Sequence, residues 1–360
     1  MSRLTSLLLL CVVAGAILYA CEACTPATPA SSSSSTTPPP DSSPSPAAPS
    51  ASALPGTAGY MPTPIRYRAD GVRVAAFNAE FLFDGEGDEG QASFDWKGNP
   101  QAAMEHLNRI GEVVRSLDAD VVMLAEVENQ GVLDQLINGP LAGMGYRSYF
   151  VQGTDRFTGQ DMGLIARVPV EATGRTDERA PISGNPTETY GVSKNLWARL
   201  TVGGVPTTVI GVHFLAIPDN VERKPNREAQ AEVIRRLVAA EAAAGRAAIV
   251  LGDFNDFDDV TLDRAGNRPI TNVLATIKRA GEGADDDLTN VLAEVAQRER
   301  FSNFYDRNEN EQIDEGELGA IDHLLISPAL RRRLREVTYA HPYDPRTVSD
   351  HFPIVATFAR

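Results

Sequence analysis

The chain has 360 residues, of which 42% are hydrophobic and 22% charged. That is enough apolar matter for one large domain or two ordinary ones, and it excludes both wholesale disorder and a multi-span membrane protein. The net charge is −15, and because residues 1–63 carry only Arg3, Glu22 and Asp41, nearly all of the acidity belongs to the rest; such a surface has no general attraction for polyanions, so work on a phosphate needs a local patch or a bound cation.

Met1–Arg3 is a short positive start, and the apolar run Leu7–Ala20 falls short of the roughly 20 residues that span a bilayer. It has the shape of an export signal. The run closes on Leu18-Tyr19-Ala20-Cys21, which resembles the lipobox of bacterial lipoproteins. Residues 1–21 are therefore expected to direct export, with Cys21 lipidated and ordinary secretion as the alternative; the protein is then a membrane-anchored lipoprotein, periplasmic or at the cell surface, or is secreted. Residues 22–63 are almost wholly Ser, Thr, Pro, Ala and Gly, a composition that cannot offset its ordering entropy and reads as a disordered tether. The three cysteines, at 11, 21 and 24, leave the domain expected over 64–360 without a disulfide, thiolate–zinc site or catalytic thiol.

Within 64–360, Val72–Phe77 is a strand candidate, and Asn99-Pro100 opens a helix with an asparagine cap and a first-turn proline. Met104, Leu107, Ile110, Val114 and Leu117 recur at helical spacing. Val121–Leu124 is a strand, followed by a short helix near Val132–Ile137; further strands are expected at Gly163–Ala166, Leu196–Leu200 and Thr207–Val212. A long helix is expected near Arg227–Ala244, then strands at Ala247–Leu251, Ile321–Ile326 and Ile354–Phe358. This alternation predicts an α/β layered domain. Polar residues follow several of these apolar runs: Asn78 and Glu80, Glu126 and Glu128, His213, Asp253 and Asn255, Asp322 and His323, Asp350 and His351. Sites gather at converging strand ends. His106 is expected at the surface of the helix after Asn99, and His341 in a loop.

The strings FNAEFLFD (77–84), LAEVEN (124–129), DMGLIAR (161–167), GVHF (211–214), LGDFND (251–256), IDHLLIS (321–327) and SDHFP (349–353) resemble, in this order, the endonuclease/exonuclease/phosphatase superfamily. They look most like its bacterial exported nuclease-like branch. The resemblance implies a deoxyribonuclease-like α/β fold of two packed mixed β-sheets flanked by helices, a four-layer sandwich. It implies phosphoester hydrolysis with Mg²⁺ or Mn²⁺. Glu126 becomes the main metal ligand, with Asn78, Asp350 and Glu80 beside it. His351 with Asp322 resembles the family's oriented histidine pair, His213 its second histidine, and Asp161 the carboxylate that orients His213. Asp253 and Asn255 would hold the nucleophilic water and a phosphate oxygen, with either Asp253 or His351 accepting the water's proton. Glu128, Asn129 and His323 are given supporting roles.

The chemistry asks for these residue types. A phosphodiester is a stable anion, so its hydrolysis needs charge neutralisation, an activated water and a protonated leaving oxygen, and a hard cation on oxygen ligands supplies the first. Separately, Asp306, Asn308, Asn310, Gln312, Asp314 and Glu317 occupy positions 1, 3, 5, 7, 9 and 12 of a calcium-loop template, with Glu311 where glycine is usual. A structural Ca²⁺ that orders the approach to Asp322 is the expectation there. Arg331, Arg332, Arg333 and Arg335, and Arg156, Arg175 and Arg179, are candidate backbone contacts. The four lysines, Lys97, Lys194, Lys224 and Lys278, receive no role. The expected partner is nucleic acid, DNA or RNA, as substrate; membrane contact is through the lipid anchor only, and no protein partner is indicated. The alternatives are a phosphomonoesterase or phospholipid-headgroup hydrolase on the same site, or a non-catalytic surface lipoprotein.

Overall fold

The computed structural model describes residues 61–87, 90–281, 283 and 286–360, so the signal-like segment, Cys21 and the tether up to residue 60 lie outside the described residues. One six-stranded sheet runs in the order β15 (Leu334–Tyr339), β16 (Ile354–Phe358), β1 (Val72–Leu82), β2 (Val121–Val127), β4 (Asp161–Ala166), β3 (Arg147–Phe150). The other runs β11 (Thr289–Asn290), β14 (Asp322–Ile326), β10 (Ala247–Asp253), β9 (Val205–His213), β8 (Lys194–Val202), β5 (Val170–Gly174). Two short hairpins pair β6 (Arg179–Ile182) with β7 (Asn185–Gly191) and β12 (Asn303–Phe304) with β13 (Leu318–Gly319). The helices are α1 (Pro100–Leu117), α2 (Gln130–Asn138), α3 (Lys224–Ala243), α4 (Val273–Lys278) and α5 (Pro328–Arg331). None of the described helices is long and apolar enough to cross a membrane.

Strand alternation builds the layers. Val74, Ala76, Val121 and Met123 meet Leu196, Ala198, Ile249 and Leu324 between the sheets. Their sequence neighbours Ala75, Phe77, Val122 and Leu124 turn the other way and pack on Leu107, Ile110 and Val114 of α1. On the far side Ile210, Val212 and Val250 pack on Val233, Ile234 and Val238 of α3. Helix, sheet, sheet, helix is the four-layer sandwich. Both sheets are mixed: β1 with β2 and β9 with β10 are parallel, the other pairs antiparallel.

Register sets the site. The parallel strands β9 and β10 end side by side, His213 opposite Asp253, and the antiparallel neighbours begin there, with Lys194 opposite His213 and Asp322 opposite Asp253. Gly252 in the LGDFND string has φ +126, and a Cβ there would lie 2.2 Å from the Val212 carbonyl oxygen, so only glycine lets β10 close on β9 at this point.

Asn99 caps α1 by accepting from Ala102 N. The buried face of that helix is wider than its apolar spacing suggests: Met104 is exposed, whereas His106 is buried against Ala79 O (2.9 Å) and stacked on Trp96 at 3.9 Å. The expectation of a surface His106 is therefore corrected. His341 does lie in a loop, but buried, stacked on Phe301 at 3.5 Å with Nε2 2.9 Å from Phe301 O. Burial pushes both imidazoles down to about 4. A folded pKa below the free value of about 6.5 means that the unfolded chain takes up the proton first, so this stabilisation is complete above pH 6.5 and lost as pH falls toward 4. A His341→Phe variant keeps the stack and removes the titration. Its stability relative to wild type, from urea unfolding, is expected to improve by roughly 3 kcal/mol between pH 7 and pH 4. Parallel pH curves for the two proteins would remove burial of a neutral His341 as a source of acid lability.

Candidate active site

Four residues at the strand ends adopt left-handed backbone without being glycine: Glu80 (φ 44), Phe81 (φ 49), Glu126 (φ 63) and Asn255 (φ 49). Each such conformation costs on the order of 1 kcal/mol or more, and clusters of them mark sites where side chains are re-aimed. At Glu126 the cause is visible. The β2–β4 register slips between Ala125 and Val127, which leaves Glu126 as an extra, unpaired residue, a bulge that turns its carboxylate into the cleft.

Glu126 is then held from three sides, by Asn78 Nδ2 (3.1 Å), Phe81 N (3.0 Å) and Gln160 Nε2 (2.5 Å). Asn78 Nδ2 also reaches Asp253 Oδ2 at 3.4 Å, joining the ends of the two sheets. Glu80 Oε2 accepts from Asp350 N (3.1 Å). Burial first, then the Asp350 and Glu126 charges, push the Glu80 carboxyl up to about 8. Burial likewise raises Glu126, and raises Asp253 to about 8 with help from Asp322. Carboxylates crowded in this way are short of positive charge.

His351 Nδ1 lies 2.7 Å from Asp322 Oδ2, which also accepts from Ser302 Oγ (2.9 Å). Burial alone would lower this imidazole, but Asp322 and Asp350 outweigh it and hold His351 well above its ordinary value. His213 is the reverse: burial, then the Lys194 and His351 charges, keep it neutral. The two Nε2 atoms face one oxygen, Asp253 Oδ2, at 3.7 Å from His213 and 3.9 Å from His351. Those gaps are too long for direct hydrogen bonds and suit an atom held between. Asn255 fixes this corner, its N–H on Asp253 Oδ1 (2.8 Å) and its amide on Phe214 O (3.2 Å).

One residue at the centre has no signal in the sequence. Lys194 is buried, with Nζ 2.8 Å from Gln160 Oε1 and 3.3 Å from Asp155 Oδ2, so a chain Asp155–Lys194–Gln160–Glu126 runs into the cleft. A single lysine between Ser193 and Asn195 carries no motif, and its partners come from another segment.

The structure thus brings together Asn78, Glu80, Glu126, His213, Asp253, Asn255, Asp322, Asp350 and His351. Asp161 does not make the expected pair. Its Oδ2 is taken by Gln152 Nε2 (2.6 Å), and His213 Nδ1 has no hydrogen-bond partner among the described residues. It is Gln160, one residue before β4, that reaches Glu126. Asn129 caps α2 on Val132 N, Glu128 accepts from Asp84 N, and His323 lies in a buried network with Asn290 and the Asp256 carbonyl. These three are structural. The arginines after Pro328 stand at the wrong end: Ser327 bonds Ala248 at the start of β10, a strand length from Asp253, and Arg331 pairs with Glu294. Arg175 is taken by Asp177 and Arg179 by Thr189.

Asp253, Asp322 and His351 offer atoms within 4.8 Å of one another that could grip an ion. Asn78, Glu80, Glu126 and Asp350 could hold a cation as well, and the Asp322–His351 hydrogen bond already occupies that triad. Burial raises all three carboxyls, and Asp350 pushes up both Glu80 and Glu126, so the set carries negative charge that a divalent cation would match.

The family model for the Endonuclease/Exonuclease/phosphatase family matches residues 75–351. No curated protein sequence matches. Among solved structures, the chain is similar to a 3′ phosphatase NExo variant from Neisseria bound to a product DNA hairpin (17% identity, 80% of this chain and 100% of that one, TM-score 0.53). It is similar to an AP endonuclease from Archaeoglobus fulgidus (15%, 80% and 99%, 0.51). It is also similar to an endonuclease/exonuclease/phosphatase from Bacteroides vulgatus (18%, 80% and 98%, 0.53).

Proposed function

The chain belongs to the endonuclease/exonuclease/phosphatase family, whose reaction class is phosphoester hydrolysis, and we propose that it is a divalent-cation-dependent phosphodiesterase that cuts nucleic acid. The observation that carries this reading is the meeting of Asp253 Oδ2 with two histidine Nε2 atoms of opposite charge state beside the Glu80–Glu126–Asp350 carboxylates. A bound Mg²⁺ or Mn²⁺ would neutralise the scissile phosphate and the developing charge on the leaving oxygen. Asp322 fixes the His351 tautomer so that Nε2 faces the phosphate. Asp253 and Asn255 hold the water, and Asp253 receives its proton, since His351 already carries one. Neutral His213 can hydrogen-bond a non-bridging oxygen, and protonated His351 is the group able to give a proton to the leaving oxygen. That one similar structure was solved with a DNA product supports a nucleic-acid substrate. The test is plasmid cleavage with Mg²⁺, run beside His213→Ala. Cleavage lost in the variant supports the reading. An intact plasmid under Mg²⁺ and Mn²⁺ would overturn it and move phosphomonoesters and phospholipid headgroups forward. Export, the Cys21 anchor and the exported branch of the family rest on the sequence strings alone.

Calcium in the 306–317 loop is a second proposal. Asn308 Nδ2 and Asn310 Nδ2 both donate to Asp314 Oδ2 (2.9 and 3.1 Å), so positions 3, 5 and 9 converge, and the position-12 Glu317 lies within the same loop, accepting from Arg307 N. The loop closes the β12–β13 hairpin, where Asn303 bridges to His351. Glu311 has φ 58 where the template uses glycine. Glu311→Gly is therefore expected to stabilise the loop by about 1 kcal/mol and to tighten calcium binding in calorimetric titration. No heat of binding in either protein would dispose of the site.

A further inference from the structure

We infer that the hollow beside His213 seats one unpaired nucleotide unit of the substrate strand, adjoining the phosphate at the reacting centre. The inference rests on the nuclease reading and adds to it the state of the strand. The hollow has a volume of about 430 Å³ and lies between the 154–160 and 213–223 segments. Its inner wall is Gln160, Lys194 and His213. Gln160 donates to Glu126 and His213 faces Asp253, so wall and reacting centre share residues. His213 is buried, yet its Nδ1 has no partner among the described residues.

The outer wall differs in kind. Phe157 is 59% exposed, a large ring left in water on the rim of a polar hollow. Core packing does not explain it, and an aromatic face is what an unstacked base binds. Arg156, next to it on the same rim, makes no hydrogen bond or ion pair with the described residues, and the guanidinium of Arg223 opposite bonds, among the described residues, only Ala216 O (3.0 Å). In a chain of net charge −15 these cations are a local reversal of sign, suited to flanking phosphates. The 213–223 segment is pinned by side-chain hydrogen bonds from Arg223 and Arg227. Ile217, a β-branched residue at φ 64 and itself 55% exposed, sits where buried Arg227 donates to the Ile217 and Pro218 carbonyls (3.2 and 2.6 Å). A strained backbone clamped from beneath is a preformed wall.

These features select against a duplex. A paired base has both faces stacked and its edge occupied, and only an unpaired one offers a face to Phe157. The volume suits a single small unit, and an adjoining groove of about 280 Å³ shares Thr154, Tyr190 and Ser193 with the hollow, giving the strand a continuous path.

The test separates binding from chemistry. Fluorescence anisotropy of a fluorescein-labelled oligothymidylate is measured with Mg²⁺ in a His351→Ala background, so that the strand stays whole. Phe157→Ala is expected to weaken binding roughly tenfold and Arg156→Ala severalfold, while Val260→Ala, an exposed apolar residue outside the hollow, is the control. The same strand in a duplex is expected to bind more weakly than the single strand. Unchanged affinity in both Phe157→Ala and Arg156→Ala, or tighter binding of the duplex, would overturn the inference. Hydrolysis of bis(4-nitrophenyl) phosphate by wild type is followed in parallel. Its absence under Mg²⁺ and Mn²⁺ would sink the nuclease reading, and the anisotropy result would still decide the hollow.

Discussion

Asp322→Asn is expected to lower kcat for phosphodiester hydrolysis by roughly 10²–10⁴-fold while leaving KM little changed. The substitution keeps the shape of the side chain and the oxygen that Ser302 Oγ bonds, so the fold at the start of β14 should survive. It removes the charge that faces His351 Nδ1 at 2.7 Å. His351 is held protonated because Asp322 and Asp350 outweigh its burial. With a neutral amide in place of Asp322, the imidazole gives up its proton at a lower pH. Any step that needs the charged form then loses its alkaline range, and that limb of the kcat profile should move toward acid. His351→Ala should cost about as much, and the double variant no more than either single one, since the two residues act as a unit. Additive losses, or an Asp322→Asn enzyme within threefold of wild type, would show that the pair does not take part in turnover.

The layers and half of the site were legible for one physical reason: a strand that is buried on both faces must be apolar until it leaves the core, so a polar residue at its end stands out. Asp253 after Ala-Ala-Ile-Val-Leu-Gly and His213 after Thr-Val-Ile-Gly-Val are of this kind. Edge strands give no such contrast. β5 and the β6–β7 hairpin are partly exposed and polar, and neither was foreseen. The burial of His106 and His341 has no local signal, because their partners, Trp96 and Phe301, become neighbours only through tertiary packing. Glu80 and Glu126 take left-handed backbone without glycine, a choice imposed by the bulge and the sheet ends, whereas Asn255 is of a type that tolerates it. Gln160 carries no such contrast either, standing just before β4, and only the folded chain brings its amide to Glu126.

Lys194→Met is expected to cost roughly 3–5 kcal/mol of stability and to take most of the turnover with it. Methionine matches the bulk of the lysine stem, so packing changes little and charge is what is lost. Asp155 Oδ2, 3.3 Å from Nζ, then loses its positive partner and keeps only Thr158 Oγ1 (2.7 Å), and Gln160 Oε1, at 2.8 Å from Nζ, loses its donor. The second loss reaches the reaction. Gln160 is fixed at one end by Lys194 and at the other donates to Glu126 Oε2 at 2.5 Å, so an unanchored amide frees the carboxylate on which the cation is expected to sit. Burial raises Glu126, and Lys194 is the foremost charge working against that rise. Without it the carboxylate cluster has one positive neighbour fewer. Two readouts separate these effects from plain loss of packing. Adding Asp155→Asn should return part of the stability in urea unfolding, because the uncompensated charge is then gone, yet should not restore kcat. Mn²⁺ should raise the melting temperature of Lys194→Met by more than it raises that of wild type, since the ion supplies positive charge to a cluster that has lost its own. If Asp155→Asn returns nothing and Mn²⁺ shifts both proteins alike, Lys194 fills space beneath the cleft and the chain to Glu126 carries no charge effect.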